Sequence, residues 1–502
     1  MKNFFNYLVC ISVLFLVGLS GATFYISMDI EKMFYKKELF TYGNNVVFYN
    51  KIISYKKGLF ESNAVTEVKL LNFPTVIKMH HTILHGPIIF TKDSKKPIDF
   101  KFAIINSYID KSANTAIPIS FVISTVLNYK KEIESTTNSS FPKYEGRINS
   151  SFPKDANNLV QIANWLLESF IRITNNHVDF KCTASFSSAL AKHLGDELVV
   201  EGVNIKVNQT AEGVDLGAAI KANQTVGSFE SGEGNVAIDV KKIIQKQQET
   251  EITNLKLNET NTVKNKILNN SFDLDIEKII NKNEIYGPMH FKFLLENINL
   301  SQISNPQPEL KPRSLRDLTA SLAALLLKKP KLIIDNSYLS FPNGAIKVNL
   351  VLSFSELESN SNNISANADL MQRVGMDGEV SLTISKEVLK QMITKSIQNG
   401  LVMQMEYEKL DPQKKQQELD MQANVNLQQA IQNGILIEKE EAYETKITVV
   451  QNNFIVNDKP ITEPFMVFIN YMAMFKASHV TVKNPPAQQP ILPPVPVNDG
   501  KS

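Results

Sequence analysis

Apolar and polar residues alternate along much of the chain. The stretches "VTEVKL" (65–70), "NVAIDV" (235–240) and "YETKITVV" (443–450) place an apolar residue at nearly every second position. Successive side chains of a strand point to opposite faces, so this period of two predicts strands with one buried and one wet face. Short polar turns, such as the one at 452–453, separate these runs and favour an extended antiparallel sheet.

Four segments carry helix signals instead: a broad apolar stripe, a capping box, or a glycine at the expected end. The last two segments close on the matching strings "SIQNG" and "AIQNG", in which Gly400 and Gly434 suit left-handed C-caps. The predicted helices are 155–172, 314–329, 386–399 and 412–433.

The first 28 residues are strongly apolar. No charged side chain occurs from Asn3 to Met28, and about 20 apolar residues suffice to cross a bilayer core. We therefore expect residues 1–28 to form a transmembrane helix that is retained as an anchor, although "SGA" (20–22) offers a signal-cleavage site. At the other end, the prolines of residues 481–502 predict a disordered tail.

A short motif occurs twice, about 200 residues apart. "HGPIIF" (85–90) and "YGPMHF" (286–291) each place a Gly-Pro pair, Gly86-Pro87 and Gly287-Pro288, before an alternating apolar run. Such self-similarity predicts that the chain contains two related β-rich halves.

These signals together predict an α+β fold. The expected order is an N-terminal transmembrane helix followed by two related antiparallel β-rich halves with packed helices. The first half would cover 29–240 and include the helix at 155–172, and the second would cover 241–480 with the other three helices.

Charge and cysteine content exclude two classes of protein. The chain has 53 basic and 51 acidic side chains, which leaves a formal net charge of +2. That balance provides no global field for binding nucleic acid. With only Cys10 and Cys182 present, no disulfide framework is expected.

Three histidines lie within six positions, at His80, His81 and His85. On a helix, His81 and His85 would be spaced to share a zinc ion. The β-branched residues around them predict a strand instead, on which they would share one face about 13 Å apart with His80 opposite. We therefore interpret His85 as a structural residue beside the Gly86-Pro87 bend.

The familiar catalytic motifs are missing from the sequence. There is no His-Glu-x-x-His metal motif, no Gly-x-Ser-x-Gly elbow and no phosphate-binding loop. We predict no catalytic residues, no cofactor and no metal site, and expect a protein that is not an enzyme.

Several strings in a fixed order resemble a known family. "YKKGLFESNAVTEVKL" (55–70) precedes "HHTILHGPIIF" (80–90), and "GILIEKEEAYETKITVVQNNFIVNDKPI" (434–461) closes the pattern. Together with the N-terminal apolar segment, they resemble the YdgA-like family of bacterial envelope proteins of unknown function.

The resemblance assigns places to particular residues. Gly58 stands where that family has a Gly-Leu-Phe/Ser strand, and His85, Gly86 and Pro87 stand at its His-Gly-Pro strand. Asn457 opens the final turn, whose usual glycine is replaced here by aspartate. The resemblance implies a bacterial inner-membrane anchor with the ectodomain in the periplasm, and it supplies no catalytic residue.

The expected function is that of a non-enzymatic envelope scaffold, with a homodimer or another envelope protein as partner. One alternative is transport or binding of a lipid or other apolar ligand along a curved sheet. Another is a hydrolase of envelope polymers that uses scattered carboxylates, although a solvated strand face explains them better. These carboxylates are Asp239, Asp273, Asp275 and Glu277.

Overall fold

A computed structural model describes most of the chain. The residues it describes are 23, 26–32, 39–42, 45–70, 76–90, 98–109, 120–129, 132–146, 159–174, 176–193, 196–213, 231–299, 326, 328–356, 374–401, 411–461 and 475.

One antiparallel sheet of 22 strands dominates these residues, and a two-stranded ribbon accompanies it. The N-terminal strands are β1 (Leu39–Tyr42), β2 (Asn45–Lys56), β3 (Glu61–Leu70), β4 (Val76–His85), the ribbon β5 (Ile89–Phe90) with β6 (Ile98–Asp99), β7 (Ala103–Ile109), β8 (Ser120–Leu127) and β9 (Ile133–Gly146). The central strands are β10 (Leu159–Ile173), β11 (His177–His193), β12 (Asp196–Glu212), β13 (Ser231–Gln245), β14 (Thr250–Lys264), β15 (Ile267–Asn281), β16 (Glu284–Tyr286) and β17 (Met289–Asn299). The C-terminal strands are β18 (Lys331–Phe341), β19 (Gly344–Glu356), β20 (Val374–Ser385), β21 (Ile437–Glu438), β22 (Ala442–Val450), β23 (Asn453–Val456) and β24 (Lys459–Ile461).

The sheet is a meander, in which strands that follow one another in sequence pair side by side. β2, β3, β4, β7 and β8 pair in that order, and every strand from β8 to β15 pairs with the next one. β15 then pairs with both β16 and β17, after which β18 and β19 continue the pattern. Short connections between antiparallel strands explain this order, because a hairpin needs only a few turn residues.

The two faces of the sheet differ in polarity. Directly opposite residues on ten strands form one apolar row, since paired residues of neighbouring strands share a face. The apolar row consists of Phe141, Trp165, Phe186, Val203, Val240, Leu255, Ile276, Met289, Leu339 and Ile346.

The neighbouring positions form a polar row on the opposite face. It consists of Ser185, Asn204, Asp239, Lys256, Asp275, His290, Tyr338 and Lys347. We call the two sides of the sheet the apolar face and the polar face. Burial differs in the same direction at central positions: Val240 is 8% exposed, whereas Lys256 and Asp239 are exposed.

Near the N-terminus, a helical segment covers part of the apolar face. Residues 26–32 are helical, and we call this segment α1. Ile26 and Ile30 pack against Ile83 of β4 and Leu127 of β8 in the only described hydrophobic cluster of this region. Burial of such aliphatic side chains stabilises the contact by about 1.5–3 kcal/mol each.

A second compact unit comprises Thr383–Thr445 and Asn453–Ser502. It contains the helices α2 (Lys386–Leu401) and α3 (Pro412–Gln432), which pack on each other. Asp411 caps α3, because its carboxylate accepts a hydrogen bond from the Lys414 amide at 2.9 Å. These two helices lie where the sequence predicts them, and Gly434 adopts the expected left-handed conformation with φ 69°.

The prediction of an α+β fold with packed helices is wrong, because the described residues are mostly one antiparallel sheet. The predicted helix at 155–172 is the strand β10, Leu159–Ile173. This segment has apolar residues at both helical and alternate spacing, and pairing with β9 and β11 decides in favour of the strand. Asn164, with φ 52°, also interrupts the alternation that would have indicated a strand.

The sheet is continuous across the boundary at 240 that was expected between the two related β-rich halves. β13 runs from Ser231 to Gln245 and crosses the expected boundary at 240, and it pairs along its length with β12 and β14. The α2 helix continues to Leu401, so Gly400 does not end it. The predicted helix at 314–329 lies largely outside the described residues, as does the predicted tail at 481–502.

The structure covers only a small part of the predicted transmembrane helix at 1–28. Within the described ranges, none of the helices combines the length and apolar composition that a membrane crossing needs. Most of the predicted anchor, 1–22, lies outside the described residues. Its described end is buried against protein, since Thr23 is 1% and Ile26 is 3% exposed.

Candidate functional site

The three clustered histidines lie on β4, as the sequence predicts, and point to both of its faces. His80 stacks on Tyr108 of the neighbouring strand with ring centroids 5.4 Å apart. His81 and His85 are instead buried on the opposite side, at 8% and 1% exposure. A helix would have brought His81 and His85 together, whereas on this strand they lie four residues apart along the same face.

His81 makes hydrogen bonds with both ring nitrogens. Its Nε2 lies 2.8 Å from the Thr66 hydroxyl, and its Nδ1 lies 2.7 Å from the Ser107 hydroxyl. Burial, together with the nearby charge of His80, lowers the pKa of His81 to about 4. The ring is therefore neutral at ordinary pH and donates through one nitrogen while accepting through the other.

His85 is tied to the turn at Gly58 through one serine. Its Nε2 lies 2.8 Å from the Ser62 hydroxyl, which also accepts a hydrogen bond from the Gly58 amide at 3.0 Å. Burial and the charge of Lys57 lower the pKa of His85 to about 4. Its Nδ1 is buried without a hydrogen-bond partner among the described residues.

Both glycines of this motif are required by close backbone contacts. A Cβ atom on Gly86 would lie 1.8 Å from the carbonyl oxygen of Lys101, and one on Gly58 would lie 2.0 Å from that of Glu61. The Gly86 amide also donates to the Phe102 carbonyl at 2.9 Å. The Gly58 turn and the Gly86-Pro87 bend are thus packed too tightly for any larger residue.

The second Gly-Pro motif makes similar backbone contacts. The Gly287 amide donates to the Ser340 carbonyl at 2.8 Å, and the Ser340 amide donates to the Pro288 carbonyl at 3.1 Å. Gly287 has φ 108°, which favours glycine. Both Gly-Pro peptide bonds, Gly86-Pro87 and Gly287-Pro288, are cis.

Asn457 fixes the turn between β23 and β24 to the end of α3. Its Nδ2 donates to the carbonyl of Gly434 at 2.8 Å and to that of Ile435 at 3.0 Å. Asn457 and Asp458 both have positive φ, at 48° and 65°. The residue has a structural role in the second unit.

The Ser62–His85 pair has the contact distance of a nucleophile and its base, yet its surroundings exclude that use. Ser62 is 0% exposed, and Ser27 of α1 donates to the carbonyl of Gly58 directly beside it. A nucleophile must reach its substrate, and the base is normally oriented by a third group. Here Ser62 is closed off, and His85 Nδ1 has no such group among the described residues.

The carboxylates considered for hydrolysis divide into two groups. Asp239 lies opposite Lys256, and Glu277 accepts a hydrogen bond from Asn254. Asp273 and Asp275 instead converge on His290, which sequence reasoning did not associate with them. His290 belongs to the repeated "YGPMHF" string, where it follows the second Gly-Pro pair. Its place in this repeat was the one feature of the sequence that could have drawn attention to it.

The apolar face is the most extensive feature that could recognise another molecule. A second apolar row runs beside the first on the same face. All of its members are partly exposed except Ala184, which is buried. This second row consists of Leu167, Ala184, Ile205, Ile238, Leu257, Leu274 and Phe291. Ten strands at about 4.8 Å spacing extend over roughly 43 Å.

These features define a class of protein: a long antiparallel β-meander with one apolar and one polar face. The family model described as "Bacterial protein of unknown function (DUF945)" matches residues 1–464, and the chain belongs to this family. No curated protein and no solved structure matched the chain.

Proposed function

We propose that the apolar face binds the acyl chains of lipids, without catalysing a reaction. The observation that carries this proposal is the apolar row, in which ten successive strands each place an apolar side chain at matched register. Four members of the row are already buried, namely Phe141, Val203, Val240 and Ile276. The other six are partly exposed, and it is this remaining apolar area that an acyl chain would cover.

Acyl chains fit this face better than a globular partner does. The apolar row is long and one residue wide, and the second row runs parallel to it. A flexible hydrocarbon chain can follow such a stripe across many strands, while the opposite face stays hydrated through residues such as Lys256 and Asp239. Each buried CH₂ group would contribute about 0.8 kcal/mol.

The sole tryptophan provides a direct test, because Trp165 belongs to the apolar row and stacks on Phe141 with ring centroids 5.9 Å apart. The full-length protein would be titrated with a brominated lysophospholipid below its critical micelle concentration. Bromine quenches indole fluorescence on contact, so we expect saturable quenching of Trp165. Native mass spectrometry of the mildly purified protein should show co-purified lipid.

A matched pair of variants locates the binding. Leu257→Asp places a charge on the apolar face, and Asn258→Asp places the same charge one residue away on the polar face. We expect the first to weaken quenching at least tenfold and the second to leave it unchanged. Absence of quenching and of co-purified lipid in the wild type would overturn the proposal, whether or not Leu257→Asp folds.

The scaffold function expected from the sequence is the competing proposal, together with its inner-membrane and periplasmic location and the YdgA-like assignment. A second copy of the chain could cover the same apolar face. A stable dimer without bound lipid, dissociated by Leu257→Asp, would favour that proposal over lipid binding.

A further inference from the structure

Two carboxylates and one imidazole meet on the polar face. Asp273 and Asp275 lie on β15 and His290 lies on β17, and one potential ligand atom from each falls within 4.8 Å of the others. The Nδ1 atom of His290 is 2.8 Å from Asp275 Oδ1 and 3.5 Å from Asp273 Oδ1.

The sheet itself produces this arrangement. Asp273 and Asp275 are two positions apart on one strand and therefore share a face. His290 lies directly opposite Asp275 in the register of β15 and β17. The ring of Tyr338, on the next strand, lies 5.9 Å from that of His290 and supports it from the other side.

One potential ligand atom of the cluster is buried and makes no hydrogen bond. Asp273 Oδ1 is enclosed and has no hydrogen-bond partner among the described residues. Its register neighbour Lys292 does not neutralise it, because the Lys292 ammonium pairs with Asp335 at 3.2 Å. His290 Nδ1 approaches this oxygen only to 3.5 Å, without a hydrogen bond. An enclosed carboxylate oxygen that makes no hydrogen bond is costly, and a cation would remove that cost.

We propose that Asp273, Asp275 and His290 bind a Zn²⁺ ion. Zn²⁺ accepts mixed imidazole and carboxylate ligands, and an imidazole ligand favours it over Mg²⁺ or Ca²⁺. Binding would use the Nδ1 lone pair of His290 and replace its present hydrogen bond to Asp275. Three protein ligands leave at least one coordination position for water. The side chain of Asp275 is 51% exposed, so water can reach the site from solvent.

This site is separate from the surface proposed for lipid. Asp275 and Ile276 are consecutive on β15, so their side chains point to opposite faces. Ile276 belongs to the apolar row, whereas the metal site lies on the polar row. Zn²⁺ binding therefore neither requires nor excludes lipid binding.

The test measures Zn²⁺ binding by the full-length protein after treatment with a chelator. Isothermal titration with Zn²⁺ should give one site per chain, and Co²⁺ in its place should give a ligand-field absorption spectrum. Asp273→Asn and His290→Gln should each weaken Zn²⁺ at least tenfold and abolish the Co²⁺ spectrum.

Two control variants match these changes in type. His80→Gln removes a histidine that stacks on Tyr108, and Asp239→Asn removes an exposed carboxylate of the polar row two strands away. Both should bind Zn²⁺ like the wild type. Equal affinity of the wild type and His290→Gln, or no stoichiometric site in the wild type, would overturn the proposal and leave the cluster as a simple ion pair. Circular dichroism of each variant verifies that it is folded.

Discussion

The Nε2 atom of His85 lies 2.8 Å from the hydroxyl of Ser62, in a region where both side chains are almost completely excluded from water. Ser62 also accepts a hydrogen bond from the Gly58 amide. One hydroxyl thus satisfies two buried groups that are distant in sequence, and it connects the Gly58 turn to the end of β4.

Replacing that hydroxyl should destabilise the first unit. Ser62→Ala leaves the Gly58 amide and the His85 nitrogen without a partner, and an unsatisfied buried group costs about 1–3 kcal/mol. We expect the free energy of unfolding in urea to fall by about 2 kcal/mol or more. Asn63→Ala, at the exposed neighbouring position, should change it by less than about 0.5 kcal/mol. Equal effects of the two variants would contradict this account of Ser62.

Stability should depend on pH through His81 and His85. Both have a pKa of about 4 in the folded protein, against an ordinary value near 6.5, because burial disfavours their charged form. The unfolded chain therefore binds more protons between pH 6.5 and 4. The stabilisation is complete above pH 6.5 and is lost as the pH falls towards 4.

Urea unfolding at pH 7 and pH 5 measures this effect. The free energy of unfolding should be lower at pH 5 than at pH 7 by roughly 2 kcal/mol for each of the two histidines. His81→Gln should remove its share of the difference. An unchanged pH dependence in His81→Gln would show that its titration is not the cause.

The Gly86 position should tolerate no side chain. A Cβ there would lie 1.8 Å from the Lys101 carbonyl oxygen, so Gly86→Ala must displace backbone. We expect a loss of about 3 kcal/mol or more in the free energy of unfolding. Because the contact is with backbone, Lys101→Ala should not rescue Gly86→Ala. Recovery of stability in the double variant would refute the backbone clash.

Substitutions at the adjacent turn residues Asn457 and Asp458 should change the stability of the protein in opposite directions. Asn457→Ala removes the two hydrogen bonds to Gly434 and Ile435 and should cost about 2 kcal/mol. Asp458→Gly should instead stabilise by up to about 1 kcal/mol, since glycine accepts φ 65° without steric cost. Thermal melting of both variants tests the pair, and destabilisation by Asp458→Gly would mean that its side chain is needed.

Local sequence patterns predicted many helices and strands correctly. They failed where the apolar residues of a segment fit both the helical spacing and the alternation of a strand. Alternation in "NVAIDV" and "YETKITVV" indicated β13 and β22, and the caps at Asp411 and Gly434 bounded α3. The segment around Trp165 was misassigned because its apolar residues fit a helix as well as a strand. Only the neighbouring strands β9 and β11, which supply its backbone hydrogen bonds, decide between the two.

The sequence by itself determined which residues can share a strand face, because alternation is a local property of the backbone. It therefore separated His80 from His81 and His85, and placed Asp273 beside Asp275. Tertiary structure alone decided what lies opposite them, since register depends on pairing between distant segments. That register aligned ten apolar residues into one row and brought His290 to the two aspartates.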